Sequence, residues 1–324
     1  MSFVTIPKAW KIPDYHVTSE DAYLSRREFI KSAGIVGVGL WAGCADGKDL
    51  AKVPDSPDMY VGSPVLQGLH PAERNSAYTV ERAVTEERIA ARYNNFYEFS
   101  AAKEQVKDLV RDFVTHPWEI EVSGHVKKPG KYDLDDLANR LNFEERVYRF
   151  RCVEAWAMTV PWSGFPLSAL LDIVQPTHAA KFVRFVTFMK PKEAPGQATQ
   201  PWYPWPYFEG LRIDEAMNEL TFLATGIYGK SMPRQHGAPI RLVVPWKYGY
   251  KSIKSIVSIE LVDRQPPTFW NDLAPREYDF WSNVDPDVPH PRWSQASERL
   301  IGTGDRVPTR KYNGYESFVA QLYG

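Results

Sequence analysis

The 324 residues include only two cysteines, Cys44 and Cys152, which excludes a disulfide framework and any zinc or iron–sulfur centre held by cysteine alone. With 39 basic and 40 acidic residues the formal charge is −1, and no block of like charge supplies the attraction that nucleic acid binding needs, so no nucleic acid partner is expected. The hydrophobic fraction of 44% and charged fraction of 24% are those of a globular chain with an ample core, which excludes a disordered protein.

In chain order, Ser25-Arg26-Arg27-Glu28-Phe29-Ile30-Lys31 precedes an apolar run from Ala33 to Ala42 and the small residues Gly43, Cys44 and Ala45. A basic start, a short apolar run and small residues in that order make an export signal too short to span a bilayer, and the paired arginines resemble the twin-arginine type. Cleavage is expected after Ala45, leaving a soluble periplasmic protein, with a lipid anchor at Cys44 as the alternative. Residues 46–90 mix Pro, Asp, Gly and Ser without a period and read as an extended arm or linker, with regular structure beginning near Tyr93. Trp118, Ile120 and Val122 alternate with Glu119 and Glu121 and predict a strand that closes at Ser123-Gly124. Asp133 is an N-cap for a short helix through Leu134, Leu137 and Leu141. Val147 to Cys152 reads as a strand with Tyr148, Phe150 and Cys152 on one face and Arg149 and Arg151 on the other. Pro166 starts a helix carrying Leu167, Leu170, Leu171 and Val174, and further strands are predicted over Phe182 to Met189, Ile240 to Val244 and Ile256 to Val262. The tail from Pro266 shows few strand runs and is too short for a second sandwich domain. Without an internal repeat or regular βαβ alternation, the fold class is α+β with long ordered loops.

No Walker loop, dinucleotide-binding glycine fingerprint, His-Glu-x-x-His helix or Gly-x-Ser-x-Gly elbow is present, and the 7 histidines show no ligand spacing. Cys152 remains as the one thiol of the mature chain. On the residues alone it reads either as a buried inert cysteine or as a thiol whose pKa the flanking Arg149 and Arg151 would lower if their charges came close. Trp156, Trp162, Trp202, Trp205 and Trp246 are candidates for core packing or for a shallow groove that receives a protein substrate.

Arg151-Cys152-Val153-Glu154-Ala155-Trp156, followed by Val160-Pro161-Trp162-x-Gly164-Phe165-Pro166-Leu167, resembles the molybdenum-binding segment of the sulfite-oxidase-fold molybdoenzymes. Within them the similarity is greatest to the periplasmic protein-methionine-sulfoxide reductase catalytic subunits. It continues in order through Tyr93-Asn94-Asn95-Phe96-Tyr97-Glu98-Phe99, Tyr207-x-Glu209-Gly210-Leu211-Arg212, Gly237-Ala238-Pro239-x-Arg241-Leu242, Val244-Pro245-Trp246-Lys247-Tyr248-Gly249 and Pro291-Arg292-Trp293-Ser294-Gln295-Ala296.

The resemblance implies a mixed-sheet, sulfite-oxidase-type molybdopterin-binding fold in a single catalytic domain over 91–324, after the signal at 1–45 and the arm at 46–90. It implies one molybdenum-molybdopterin per chain, with Cys152 as the protein's ligand to the metal and as the catalytic residue. Asn94, Tyr97, Glu98, Thr187, His236, Arg241, Ser252, Ile253 and Lys254 would bind the pterin and its phosphate, Arg241 and Lys254 by charge-assisted donation. Read without it, Asn94 and Thr187 are residues that satisfy nearby backbone groups, and Lys247, Lys251 and Lys254 are a solvated face. His236 stands where a member of that family has Asn, and its donor count would then follow pH. Glu154 either hydrogen-bonds near the metal or pairs with Arg149 or Arg151.

The implied activity is reduction of methionine sulfoxide in oxidised periplasmic proteins, with electrons from a haem b membrane subunit and passage through the twin-arginine translocase during export. The alternatives are oxidation of sulfite or another small substrate on the same fold, or an exported binding protein whose aromatic loops hold a ligand.

Overall fold

The computed structural model describes residues 62–324, which lie within one compact unit, Asp46–Gly324. The export signal with Arg26, Arg27 and Cys44, and the first part of the arm, lie outside the described residues. The strands are β1 (Glu119–Gly124), β2 (Gly130–Asp133), β3 (Glu144–Arg151), β4 (Trp156–Pro166), β5 (Phe182–Thr187), β6 (Phe208–Arg212), β7 (Phe222–Ile227), β8 (Lys230–Ser231), β9 (Arg241–Val243), β10 (Ile256–Val262), β11 (Ser297–Leu300) and β12 (Arg306–Pro308).

They form two mixed sheets. The first has the order β2-β1-β10-β5-β6, in which only β1 and β10 run parallel. The second has the order β12-β11-β4-β7-β8, with β3 also paired to β4 and β9 to β7. Residues of both sheets, among them Ile120, Phe185 and Leu261 of the first and Val160, Leu223 and Leu242 of the second, join one continuous hydrophobic cluster. This is the α+β class expected from the sequence.

Local chemistry explains several elements directly. In β1, Ile120 and Val122 are buried between exposed Glu119 and Glu121, so its period of two follows from a sheet covered on one face. Asp133 accepts from the N–H groups of Asp135 and Asp136 and caps a helix over Leu134–Ala138, which stops before Leu141. The helix Leu167–Val174 turns Leu167, Leu170, Leu171 and Val174 inward and packs on the helix Ile213–Met217. Among the described residues no helix is long and apolar enough to cross a membrane.

Three differences from the sequence reading shape the site. Regular contact starts well before Tyr93: Ser63 caps a helix at Pro64–Gly68 and also bonds Asp135, while Glu73 and Asn75 exchange backbone hydrogen bonds with Glu145 of β3 at 2.7 and 2.8 Å. The described part of the arm is therefore fastened to the sheet that carries Cys152. Second, β3 is buried on both faces, because the arm and the tail cover the side that holds Arg149 and Arg151. Third, the tail adds β11 beside β4, parallel, with Arg299 opposite Trp156, and β12 outside it.

Candidate active site

β3 and β4 form a hairpin, and residues 152–155 are its turn. The N–H of Cys152 donates to Trp156 O at 2.9 Å, that of Ala155 donates to Cys152 O at 3.1 Å, and Ala155 has φ of 62°. This tight turn leaves the thiol at the end of a rigid strand pair, on the wall of a cavity of about 400 Å³, a size suited to a cofactor. Trp293 Nε1 and Gln295 Nε2, from the tail, both donate to Val153 O at 2.8 Å and hold the turn from the other side.

The sulfur accepts from the Glu154 N–H at 3.4 Å and from Asn95 Nδ2 at 3.4 Å. Burial pushes the Cys152 thiol pKa well up, and the Glu154 carboxylate, 3.5 Å from Sγ, adds to the rise. Arg151, with Lys103 and the Glu154 N–H, does draw the value down, but by less than burial and the Glu154 charge raise it. Arg151 is spent on Glu298, with Nε 3.0 Å from Oε2, and on Gln295 at 2.8 Å, while Arg149 lies beside Asn313 and Tyr315. A buried thiol with a raised pKa ionises only when a cation pays for the charge, as metal coordination does.

Glu154 pairs with neither arginine. Its carboxylate accepts from Lys103 Nζ at 3.1 Å, Trp156 Nε1 at 3.0 Å and Asn95 Nδ2 at 3.1 Å. Burial raises its pKa, but Lys103 and these donors outweigh burial and hold it below the ordinary carboxylate value.

The cavity is cationic at its inner end. Arg241, fully buried on β9, donates to His236 O and Ser252 O at 2.9 Å each and to Leu242 O at 3.2 Å, so its hydrogen bonds go to backbone carbonyls. Burial alone lowers its pKa to about 9, the mark of a guanidinium that lacks a compensating anion. Lys254 donates to Asn95 O at 2.6 Å, and burial lowers its pKa while Arg241 repels it. Glu98, buried nearby, is held above the ordinary carboxylate value by burial, which outweighs the lowering by a backbone hydrogen bond and by the Lys254 charge.

His236 ends a 3-10 turn at Arg234–His236 that is closed by Gly237 in the left-handed region, φ 101°. A Cβ on Gly237 would lie 2.6 Å from Cβ and Cγ of Lys254, so only glycine allows this approach. Burial, with Arg241 and Lys254, lowers the His236 pKa to about 3. Its donor count is therefore fixed near neutrality, contrary to the expectation that it follows pH.

Of the residues expected at the site, Asn94, Tyr97, Glu98, Cys152, His236, Arg241, Ser252, Ile253 and Lys254 all line this cavity. Thr187 is the exception. Its hydroxyl donates to Lys254 O at 2.7 Å and to Ser255 O at 3.0 Å from behind the wall, so it positions the loop that carries Lys254 rather than facing the cavity. Asn94 satisfies a backbone group, its Nδ2 donating to Ala91 O at 3.0 Å, and it also lines the cavity. Lys247 and Lys251 are not a solvated face: each is fully buried, paired with Glu215 at 2.5 Å and Glu209 at 2.7 Å. Of the tryptophans, Trp156 and Trp162 line the cavity, Trp246 is wholly buried and Trp202 is 65% exposed.

Asn95 and Lys103 are not among the residues expected at the site, and Trp162, expected only in packing or a substrate groove, lines the cavity. Asn95 and Trp162 lie inside motifs that carry the resemblance, whereas Lys103 has no local signal because its partner is 51 positions away.

The residues fit a molybdopterin. Asn95 Oδ1 and Trp162 Nε1 are buried on the cavity wall without a hydrogen-bond partner, and two buried cations face the same space, a polar and positive lining suited to an anionic, heteroatom-rich group. A soft thiol stands where a metal would be held.

Residues 107–270 match the oxidoreductase molybdopterin binding domain. The chain is 46% identical over 318 residues to the protein-methionine-sulfoxide reductase catalytic subunit MsrP of Burkholderia mallei, covering 96% of this chain and 93% of that one. It is 46% identical over 332 residues to the protein of the same name from Pseudomonas syringae pv. tomato, covering 99% and 97%. The sulfane dehydrogenase SoxCD of Paracoccus pantotrophus superposes with a TM-score of 0.45 at 14% identity over 80% of this chain and 56% of that one, a likeness too low to bear on the assignment. On its match to the domain and its near full-length identity to these relatives, the chain belongs to the protein-methionine-sulfoxide reductase catalytic subunits of the molybdopterin-binding oxidoreductases.

Proposed function

We propose that this chain is exported by the twin-arginine route to the periplasm, binds one molybdenum-molybdopterin, and reduces methionine sulfoxide in oxidised proteins back to methionine. The observation that carries the reading is Cys152 on the wall of a buried cavity faced by Arg241 and Lys254, in a chain whose relatives bear the name of that reductase.

The reaction takes up two electrons and two protons and turns the sulfoxide into a thioether and water. When bound, reduced molybdenum would supply two electrons to the sulfoxide and a place for its oxygen atom. Cys152 Sγ would hold the metal, with the Glu154 N–H and Asn95 Nδ2 fixing the direction of the sulfur. Arg241 and Lys254 would meet the anionic end of the pterin, and His236, Ser252 and Ile253 the wall beside it. Asn95, Trp156 and Lys103 hold Glu154 as a fixed hydrogen-bond acceptor beside the sulfur.

Electrons would come from a haem b membrane subunit. Supporting this, a mature chain with Cys152 as its only thiol cannot hold an iron–sulfur relay of its own.

Turnover of a protein-bound sulfoxide by the holoenzyme, with a dye as electron donor, tests the reading against its rival. Sulfoxide reduction with no sulfite oxidation is expected. Purified exported protein that holds molybdenum yet oxidises sulfite and leaves the sulfoxide intact would overturn it.

A further inference from the structure

Trp202 is 65% exposed, the most exposed of the large hydrophobic side chains among the described residues. It is not on a loose loop. Tyr203 N donates to Gln200 O at 3.2 Å, Trp205 N to Tyr203 O at 2.9 Å, and Trp205 Nε1 to Gln200 O at 2.9 Å, so an ordered turn displays the indole.

The ring also begins an unbroken aromatic path into the cavity. Trp202 meets Tyr203 at 6.0 Å, Tyr203 meets Trp270 at 6.2 Å, and Trp270 meets Tyr278 at 5.3 Å between centroids. Tyr203, Trp270 and Tyr278 line the cavity that holds Cys152; Trp202 stands outside it. A methionine sulfoxide side chain is short, so when its sulfur reaches the cavity the polypeptide on either side must lie on the rim. Rigid aromatic rings there give a large apolar contact at little entropic cost.

Resting on the proposed reductase activity, we propose that Trp202 is a specificity-determining contact for the polypeptide flanking the oxidised methionine. It takes an apolar side chain a few positions from the sulfoxide, with Tyr203 and Trp270 leading the reacting group inward. The occupant is the segment of the substrate protein on either side of the oxidised methionine, lying across the rim with an apolar side chain against the indole.

The test uses holoenzyme with a dye as electron donor and three substrates: dimethyl sulfoxide, a peptide with methionine sulfoxide between leucines, and the same peptide with serines in their place. Trp202→Ala should raise KM for the leucine peptide about tenfold, leave its kcat unchanged, and change the constants for the serine peptide and dimethyl sulfoxide by less than twofold. Trp202→Phe should restore most of the KM. An equal change for all three substrates, or no change for the leucine peptide, would overturn the proposal, as would an unchanged KM accompanied by loss of a dimer in sedimentation. Failure of the wild type to reduce any sulfoxide would instead refute the activity on which the proposal rests.

Discussion

Asn95 is the residue on which two features of the site converge, since its Nδ2 donates both to Cys152 Sγ and to Glu154 while its own Oδ1 has no partner. A donor to a sulfur that becomes a thiolate on metal binding contributes about 1.5–3 kcal/mol. Asn95→Ala is therefore expected to keep the fold but lower turnover per bound molybdenum by about tenfold or more, measured by kinetics normalised to metal content. The same residue shows how far the sequence could be read. The motif around it pointed to the cavity, but its contact with a sulfur 57 positions away exists only in three dimensions.

Away from the site, His70 shows the effect of burial on pH. Burial lowers its pKa to about 4, and its ring packs against Gly226, where a Cβ would lie 2.3 Å from Cε1. The unfolded chain binds a proton at His70 below about pH 6.5, while the folded chain resists it until about pH 4. The stability His70 contributes is thus full above the unfolded value and is lost as pH falls from 6.5 toward 4. Melting temperature should fall through that window, and His70→Gln should make the fall shallower.

The strand pair that presents Cys152 is held from behind by charge. Arg151 and Glu298, 0% and 1% exposed at the side chain, pair across β3 and β11, and Glu298 also bonds Arg82 of the arm. Removing one partner of a buried pair costs about 3–5 kcal/mol. Glu298→Gln is expected to lower stability by about that amount in urea unfolding without a change of m, because it leaves two arginines uncompensated. At the inner wall, Gly237→Ala places a Cβ against Lys254 at a backbone angle that favours glycine, at a cost of about 1–3 kcal/mol. Its expected signature is loss of bound pterin before loss of fold, read by fluorescence of the released cofactor.

Elements with one buried face were legible in the sequence. β1, β10 and the helix Leu167–Val174 follow their periodicity, with β10 ending where it was predicted, at Val262. β4 was not legible as a strand. Its residues 156–165 are all buried, so it has no polar face to alternate with, and Pro161 and Gly164 within it read as breakers. Gly164 is needed because a Cβ there would lie 2.0 Å from Leu223 O of β7.

At the scale of the molecule, the site is assembled from segments far apart in the chain. The arm anchors β3 at Glu145, residues 93–98 supply Asn95 and Glu98, the hairpin supplies Cys152, β9 and the loop after it supply Arg241 and Lys254, and the tail closes the turn through Trp293 and Gln295. The motifs fixed which segments meet, since nearly all residues expected at the site line one cavity. Burial set their chemistry, because it raises the thiol pKa by more than the nearby charges lower it and holds His236 neutral, and burial cannot be read from neighbours in sequence.

The measurement that bears most directly on this account is the formation of methionine from protein-bound methionine sulfoxide, followed by mass spectrometry with a dye as electron donor and expressed per molybdenum. The expected result is turnover in proportion to bound molybdenum in the wild type and none in Cys152→Ala, even where some pterin stays bound. Retained turnover in Cys152→Ala, or equal turnover by protein free of molybdenum, would contradict it.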